Sequence, residues 1–415
     1  MKKVFLLFGL SLNLCLNAQN YVHQVLVLNE GYYDYNLNQI VTPVSVGSYN
    51  PATQSYQEVN TISNMRFASD LVIDGNAYFV AADSKILKYD LDAHSLIAEV
   101  NCPGVRNLAV SQGKLIATRG EYLTTYDSYL HVYDANSLQL IQAIDTLVGP
   151  KWATQNIVLV GNTAYIAVNN GYEWGNEKGL IGQLDLTTLN YGNEIDLGPD
   201  GKNPDNLMLY NGNLYTVNNK DGSGSSVSEI NIIAGTSNTV NLANAGTGCG
   251  TSALRDDKLV YQISLETTLN EFDMSLMNTT GPIAGHQINY YELAQEPVSG
   301  NFYCTETDFF SFGTVHIFDG GNTEISQFAV STSPGTLVYD VRPSAGLTEI
   351  SEDLIVYPNP TNDFLSVNQI GEKLVYSLDG TLLFSSNEQK LNMSSLAQGL
   401  YVIAVNGQKT IAIKQ

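Results

Sequence analysis

The chain has few charged residues and a marked shortage of positive charge. Only 14% of its 415 residues are charged, and 41 Asp and Glu stand against 19 Lys and Arg, so the formal charge is −22 with His neutral. A nucleic-acid binder needs surplus cations to release counterions, so this balance argues against such a partner. The sequence instead has 25 Tyr and 44% apolar residues, spread over its whole length. That composition is typical of a secreted β protein with enough apolar residues for a sizeable core.

Cysteine is also scarce, and the few cysteines lie far apart. Cys102, Cys249 and Cys304 remain after the leader described next. Their odd number excludes a disulfide framework, and no C-x-x-C pair is present for zinc or redox chemistry. Cys249 lies in a Gly-Thr-Gly-Cys-Gly turn, which we interpret as a small apolar residue in a tight turn rather than an exposed nucleophile.

Residues 1–18 have the pattern of a secretory signal peptide. Lys2 and Lys3 precede an apolar run from Val4 to Leu16, and Ala18 stands at the expected cleavage site. The run is too short to span a bilayer, and no later stretch is long and apolar enough to do so. Loss of the two lysines takes the formal charge from −22 to −24. A lipoprotein is disfavoured because Leu14 occupies the small-residue position before Cys15.

Internal repetition carries the prediction of the fold. Strand–turn–strand units begin at Asp70, Asn107, Asn156 and Asn206, with weaker copies near Ser252 and Glu292, at spacings of 37 to 50 residues. Each unit reads as four short antiparallel strands, here called A to D, with tight Asn-Gly or Asp-Gly turns. Periods of this length indicate a β-propeller.

The two ends of the repeat region complete each other. Residues 25–31 resemble a strand B, and residues 335–340 resemble the strand A that the first unit lacks. We therefore predict an all-β, seven-bladed propeller over residues 21–342, closed by both termini, with about 46 residues per blade. Six or eight blades fit the arithmetic too, and a sandwich array is the alternative architecture.

One face of this predicted ring should carry the functional loops. The B–C loops and the D–A crossovers share a face, and several B–C loops are long and aromatic. Seven of the twelve cations between residues 21 and 340 also map there, a placement suited to an anionic ligand. Alternatively, the aromatic residues pack loop against loop, and the cations are ordinary solvent-exposed loop residues with no ligand. The candidate ligand-binding residues are Tyr32, Tyr33, Arg66, Arg106, Arg119, Tyr122, Lys151, Trp152, Tyr172, Trp174, Lys202, Phe309 and Phe310.

No linear catalytic or nucleotide-binding motif is present. H-E-x-x-H, G-x-x-x-x-G-K, G-x-S-x-G and a helix-opening G-x-G-x-x-G are all missing, so no catalytic residue and no metal ligand is assigned. The acidic turns at 198–205 and 221–224 could offer oxygen ligands to calcium, but neither has EF-hand spacing. A propeller can also assemble a site from single residues on several blades.

The C-terminal region has the most specific signature. After a linker over residues 343–352, residues 353–415 alternate strands and turns and predict a small β-sandwich. They resemble the type A sorting domain of the type IX secretion system of Bacteroidetes, through Tyr357-Pro358-Asn359-Pro360, the turn at Gly380, Gly399, Tyr401 and a basic last strand. The resemblance implies passage through the periplasm, handling by the type IX machinery, and release from the cell or attachment to its surface.

The propeller region resembles the YncE-like family of extracellular propellers in its repeat pattern and its Asn29-Glu30-Gly31 start. That family includes cobalamin-binding surface proteins, so the resemblance implies a corrinoid as one ligand and an outer-membrane transporter as one partner. No corrinoid contact can be assigned residue by residue.

These observations lead to one main hypothesis and two alternatives. The main hypothesis is a non-enzymatic secreted or surface propeller that captures an anionic cofactor, a metabolite or a glycan. The first alternative is an enzyme of lactonase or quinoprotein type, which would need convergent acids or Asn107, Asn156 and Asn206 at the central channel. We favour a backbone-capping role for those three residues. The second alternative is an adhesion or matrix scaffold.

Overall fold

The computed structural model describes residues 20–220, 224–242, 246, 251–344, 354–405 and 408–415. The predicted leader, Cys249 and most of the predicted linker lie outside these residues. Two compact units are distinguished, one of Val22–Arg342 and one that includes Pro343–Gln415. Within the described part of the chain, no helix is long and apolar enough to cross a membrane.

The regular structure of both units consists of β-strands. The strands of the first third of the chain are β1 (Asn20–Asn29), β2 (Tyr32–Asp34), β3 (Gln39–Thr42), β4 (Val44–Asn50), β5 (Ser55–Ile62), β6 (Ala68–Asp74), β7 (Ala77–Ala82), β8 (Lys85–Asp90), β9 (Leu96–Asn101), β10 (Val105–Ser111), β11 (Lys114–Arg119), β12 (Ser128–Asp134) and β13 (Leu140–Asp145). The next strands are β14 (Thr154–Val160), β15 (Thr163–Val168), β16 (Leu180–Asp185), β17 (Ile195–Asp196), β18 (Pro204–Tyr210), β19 (Asn213–Asn218), β20 (Ser225–Asn231), β21 (Thr236–Leu242), β22 (Ser252–Arg255), β23 (Lys258–Gln262), β24 (Leu269–Asp273) and β25 (Asn278–Ile283). The first unit ends with β26 (Tyr290–Gln295), β27 (Phe302–Glu306), β28 (Phe312–Phe318), β29 (Glu324–Thr332) and β30 (Pro334–Pro343).

These strands form seven four-stranded sheets, one for each predicted blade. Six sheets take four consecutive strands, from β6–β9 through to β26–β29, while β2 and β3 form a separate small ribbon. The remaining sheet has the order β30-β1-β4-β5, so the last strand of the unit supplies the strand A that β1 lacks. The predicted all-β propeller is confirmed.

The hydrophobic core shows that the ring is closed. Each apolar cluster of the first unit joins two neighbouring sheets, beginning with Leu26 and Leu71 of the first and second sheets. Five further clusters continue around the ring. The last joins Val25 of the first sheet to Tyr303 and Val315 of the seventh. Burial between neighbouring sheets therefore holds the ring together from the first sheet to the seventh and back to the first.

Turn chemistry explains why the sequence repeats so regularly. In the β18–β19 hairpin, Asn211 and Gly212 both have positive φ, as a type I′ turn requires. At the C–D turns, a side-chain oxygen of the last strand-C residue accepts backbone N–H groups from the turn, which accounts for the recurrent acid or amide there. The residues that do this are Asn50, Asp90, Asp134, Asp185, Asn231, Asp273 and Asp319.

The C-terminal unit is a small sandwich. Its strands are β31 (Val356–Tyr357), β32 (Phe364–Val367), β33 (Lys373–Ser377), β34 (Leu382–Ser386), β35 (Lys390–Asn392), β36 (Gly399–Val405) and β37 (Gln408–Lys414). They form one sheet of order β31-β32-β35 and one of order β34-β33-β36-β37. Leu365 of the first sheet and Val375 and Ile403 of the second share one buried core.

Candidate functional site

The strands A of all seven sheets surround a central cavity of about 660 Å³. The cavity lies where these strands begin, which is the face of the B–C loops. Because each sheet contributes only a few residues, the lining combines side chains that are far apart in sequence.

An equivalent position near or just before the start of every strand A lines the cavity. Five of the seven strands have a β-bulge beside this position, and the extra residue lets two successive side chains face the channel. The residues at this position are Asp70, Asn107, Asn156, Asn206, Thr251, Glu292 and Thr336. They include the residues that begin the repeats in the sequence.

Four carboxyl groups from four different sheets face this cavity. They belong to Glu30, Asp70, Asp205 and Glu292. Burial raises the pKa of Glu30 and of Asp205 to about 7. Burial likewise raises the pKa of Asp70 to about 6, although backbone N–H groups of Leu71 and Leu108 donate to its carboxylate. In these groups the protonated form is therefore more favoured than in ordinary, solvent-exposed carboxyls.

Glu292 is the carboxyl that all the others influence. Burial first, and then the charges of Glu30, Asp205 and Asp70, raise its pKa well above the usual range. Among the described residues, no hydrogen bond or salt bridge reaches its carboxylate. A cation in the cavity would relieve this mutual repulsion.

Glu30 enters the cavity because a glycine makes room for it. A Cβ atom at Gly335 would overlap the Glu30 carboxylate. The Tyr291 hydroxyl lies 3.1 and 3.0 Å from the two carboxylate oxygens and holds the group in place.

Arg106 is the one cation among the described residues that line the cavity. Its Nε donates to the Gly120 carbonyl at 2.7 Å, and its guanidinium lies 4.3 Å from the ring centroid of Tyr172 and 5.2 Å from that of Phe67. No salt bridge of 4 Å or less joins it to a described carboxylate. Arg106 is thus held by a carbonyl and two rings and offsets only part of the acidic charge.

The predicted aromatic residues divide between the cavity and its surroundings. Tyr172 lines the cavity, and it also lines an adjoining groove together with Tyr122 and Trp174. Phe309 packs edge-on against Tyr291 with a centroid distance of 5.0 Å. The rings of Tyr32 and Phe310 are in contact, Tyr33 donates to Asn38, and Trp152 is covered by Lys178.

Most of the predicted cations already have partners within the chain. Arg66 pairs with Asp83 and Glu121, and Lys220 pairs with Asp200. Arg119 is buried and donates to the carbonyls of Pro103 and Ser128. Lys151 and Lys202 are exposed. This face therefore has less free positive charge than the sequence alone indicates.

The predicted capping role of the three asparagines agrees with the contacts of two of them. Asn156 accepts from the Leu207 N–H at 3.2 Å, and Asn206 donates to the Ser252 carbonyl at 3.1 Å. Both bonds join one sheet to the next. Asn107 differs, because its buried side-chain oxygen has no partner among the described residues.

Sequence reasoning missed the four carboxyls as a group. Asp70 and Glu292 were visible as repeat starts, and their equivalence to Asn107 was the available signal. Asp205 precedes the repeat start Asn206, whereas Glu30 follows β1, and only the ring geometry brings the two together. Among the described residues, no three His, Cys, Asp or Glu side chains are placed to hold a metal ion.

The described cysteines do not contribute to this site. Cys102 and Cys304 are buried, and burial raises the pKa of both thiols. A buried thiol with a raised pKa is a structural residue rather than a nucleophile.

The sorting-signature residues have structural contacts within the C-terminal unit. The Asn359 amide donates to the Ile411 carbonyl and accepts from the Ile413 N–H, both at 2.8 Å, so the segment Tyr357–Pro360 is fixed to β37. Gly380 has a positive φ in its turn, Gly399 begins β36, and Tyr401 donates to the Ala397 carbonyl.

Residues 355–415 match the secretion system C-terminal sorting domain. The chain therefore carries a type IX sorting domain and is delivered to the cell surface or the exterior. No curated protein sequence matches the chain at a significant level.

Several solved structures share the propeller fold. The extracellular domain of a one-component system from B. thetaiotaomicron has a TM-score of 0.50 and 13% identity, covering 96% of this chain. The present chain spans only 59% of the length of that relative. A hypothetical selenium-binding protein from Sulfolobus tokodaii has a TM-score of 0.57 and 9% identity, over 77% of this chain and 94% of that one. Dihydro-heme d1 dehydrogenase NirN has a TM-score of 0.50 and 15% identity, over 90% and 75%. At these identities the likeness concerns the fold alone.

Proposed function

We propose that this chain is an extracellular binding protein that takes a small cationic ligand into its central cavity and does not convert it chemically. The observation that carries the proposal is the convergence of four carboxyl groups from four sheets on one cavity with a single arginine in its lining. The sorting domain supports an extracellular site of action.

The charge balance inside the cavity favours a cation over an anion. A protonated primary amine would pair with Glu292, whose carboxylate has no described partner, and with Glu30 and Asp205 nearby. Such pairs are strong in a partly desolvated cavity because each carboxylate gains a charge-assisted hydrogen bond. The amide side chains of the lining could bind further polar groups of the ligand. An anionic corrinoid or phosphate would instead meet four acids.

Binding of a cation should be coupled to proton release. With pKa values of about 7 for Glu30 and Asp205 and about 6 for Asp70, these three acids are partly protonated at neutral pH. A bound cation stabilises their ionised forms and so drives protons out. Affinity should therefore fall as the pH falls through this range.

The YncE-like resemblance fits this site as part of the proposal. Glu30 belongs to the Asn-Glu-Gly tripeptide on which that resemblance rests, and its carboxylate is one of the four. We propose that this tripeptide serves to place an acid at the cavity in this chain.

A metal-dependent enzyme of lactonase type is the second candidate. Carboxylate oxygens and the amide oxygens of Asn107, Asn156 and Asn206, which are calcium ligands, line the same cavity, although no three acids among the described residues are grouped closely enough to hold a metal ion. This candidate predicts that calcium raises the melting temperature and that chelation reverses the effect.

Calorimetric titration with N-acetyl-lysine methylamide tests the proposed function. The uncharged norleucine analogue serves as the ligand control. We expect the amine alone to bind, and Glu292→Gln to weaken it at least tenfold. Asp74→Asn, at the exposed end of β6 and outside the cavity lining, should leave the affinity unchanged. Equal affinity for the amine and its uncharged analogue, or no binding of either, would contradict the proposal.

A further inference from the structure

Two apolar surfaces flank the central cavity on opposite sides of the ring. We call them lip 1, formed by Tyr122, Leu123 and Trp174 of the third and fourth sheets, and lip 2, formed by Leu265, Phe309 and Phe310 of the sixth and seventh. Leu123, Trp174 and Leu265 are 87%, 80% and 90% exposed. All six residues belong to B–C loops, so both lips lie on the face where the cavity opens.

Both lips are continuous with the cavity. Lip 1 borders a groove of about 430 Å³ that shares the side chain of Tyr172 with the cavity. Lip 2 borders a smaller groove of about 150 Å³ that shares Thr251 and Tyr291 with it. A ligand bound in the cavity can therefore extend onto either lip without leaving the surface.

The backbone at the two leucines is held in an unfavourable conformation. Leu123 has φ 55° in a turn closed by the Thr124 N–H and the Glu121 carbonyl. Leu265 has φ 66° in a turn closed by the Glu266 N–H and the Ile263 carbonyl. In each turn the leucine occupies the third position, where a positive φ ordinarily selects Gly or Asn. Two different blades thus each have an exposed leucine at a turn position whose backbone conformation is unfavourable for leucine.

Other leucines of the propeller show what usually offsets this cost. Leu138 and Leu189 also have positive φ, of 56° and 58°, but their side chains are 3% and 8% exposed. Their burial in the core compensates for the backbone conformation. At Leu123 and Leu265 the described residues offer no such burial, and this difference marks both side chains as candidates for contact with a partner.

The lips and the cavity together point to the chemistry of that partner. We propose that this face binds a polypeptide segment whose lysine or arginine side chain enters the cavity, while apolar residues on either side of it contact lips 1 and 2. This inference rests on the proposed function, because the cavity supplies the site for the charged side chain.

The composition of the lips favours a polypeptide over other extended ligands. Leucine side chains offer only apolar contact, which suits apolar side chains better than the hydroxyl-covered surface of a glycan. A membrane surface is disfavoured because Glu121 and Glu173 line the groove at lip 1, and no Lys or Arg is among its described lining residues. Aromatic and aliphatic anchors around a charged pocket are the usual arrangement of energetically dominant interface residues.

Synthetic peptides test the inference with the full chain. Each acetylated, amidated peptide has one central lysine and a Leu-Trp pair at varied spacing on both sides. At least one spacing should bind ten times more tightly than N-acetyl-lysine methylamide. The double substitution Leu123→Asn with Leu265→Asn should remove that gain and leave the affinity for the small amine unchanged.

Two controls separate binding from folding. Leu276→Asn changes an exposed leucine on the opposite face and should leave peptide affinity unchanged. Because asparagine tolerates positive φ, the double variant should melt at or above the temperature of the unaltered chain. A lower melting temperature would mean that the leucines serve the fold and would overturn the inference.

The remaining outcomes distinguish the two proposals. If the amine binds but no peptide binds more tightly, the inference fails and the cavity function stands. If neither binds, both fail. Lip-dependent binding to phosphatidylcholine vesicles would identify a membrane as the occupant and would also overturn the inference.

Discussion

The inner wall and the outer loops of one propeller face differ in whether their charged groups have partners within the chain. In the loops, Arg66 and Lys220 are paired with acids, and Arg119 is buried against carbonyl groups. On the inner wall, Glu292 has a raised pKa, and its carboxylate has no described partner. Arg106 lines the same cavity and offsets only part of the acidic charge. The count of charges along the sequence and the charges left unpaired by the fold therefore favour ligands of opposite sign, because free charge depends on which groups the fold has already paired.

The comparison also separates stability from binding. A charged group that is paired within the chain stabilises the fold, so its removal should lower the free energy of unfolding. A charged group left unpaired in a cavity costs stability and is available to a ligand. The following substitutions test this division.

Arg119→Met should have the largest effect on stability. The substitution removes a buried guanidinium and leaves the carbonyls of Pro103 and of the buried Ser128 without this donor. We expect a loss of about 2–4 kcal/mol in the free energy of unfolding, measured by chemical denaturation. Lys151→Met, at an exposed loop position, is the control. If Arg119→Met left the free energy of unfolding unchanged, the contacts of Arg119 would not stabilise the fold, and its charge would instead be available to a ligand.

Glu292→Gln should act in the opposite direction. Removing an unpaired acid from among three others should raise the free energy of unfolding at pH 7.5 by about 1–2 kcal/mol. The same variant loses affinity for an amine, so stability and binding change in opposite senses. A destabilised variant at pH 7.5 would show that the carboxylate has a structural partner.

The unliganded chain should also become less stable as the pH rises from about 5 to about 7.5. The pKa of Glu30 and of Asp205 is raised to about 7 in the fold, so between their ordinary values and pH 7 the native state binds more protons than the unfolded state. Their contribution is complete at low pH and is lost as the pH passes through 7. Melting curves at several pH values measure this slope, which should be shallower in Glu292→Gln.

Arg66→Gln should have the smallest effect. Its side chain is 36% exposed, and surface ion pairs contribute little because water screens them. We expect a change of at most about 1 kcal/mol in the free energy of unfolding and no change in amine affinity. A tenfold loss of amine affinity would show that Arg66 contributes to ligand binding.

The fold was predictable because its signals are local. The C–D turns follow an Asp or Asn whose side chain accepts turn N–H groups, as at Asp90 and Asp134, and such a residue is visible in each repeat of the sequence. The completion of β1 by β30 followed from a missing strand at one end and a surplus strand at the other.

The site was only partly predictable because it is assembled across the ring. Arg106 and Tyr172 could be proposed from loop composition, and both line the cavity. The convergence of Glu30, Asp205 and Glu292 depends on bulges and on a glycine at 335, which a linear pattern does not reveal. Likewise, the pairing of Arg66 depends on Asp83 and Glu121, which belong to different blades.

The central claim is that the cavity acids bind a cation, and its pH dependence tests that claim most directly. The affinity for N-acetyl-lysine methylamide should be measured by calorimetry at pH 8.0 and at pH 5.5. The amine, with a pKa of about 10.4, is charged at both values, whereas the cavity acids are largely protonated at the lower one. We predict at least tenfold weaker binding at pH 5.5. Equal or tighter binding at pH 5.5 would contradict the account.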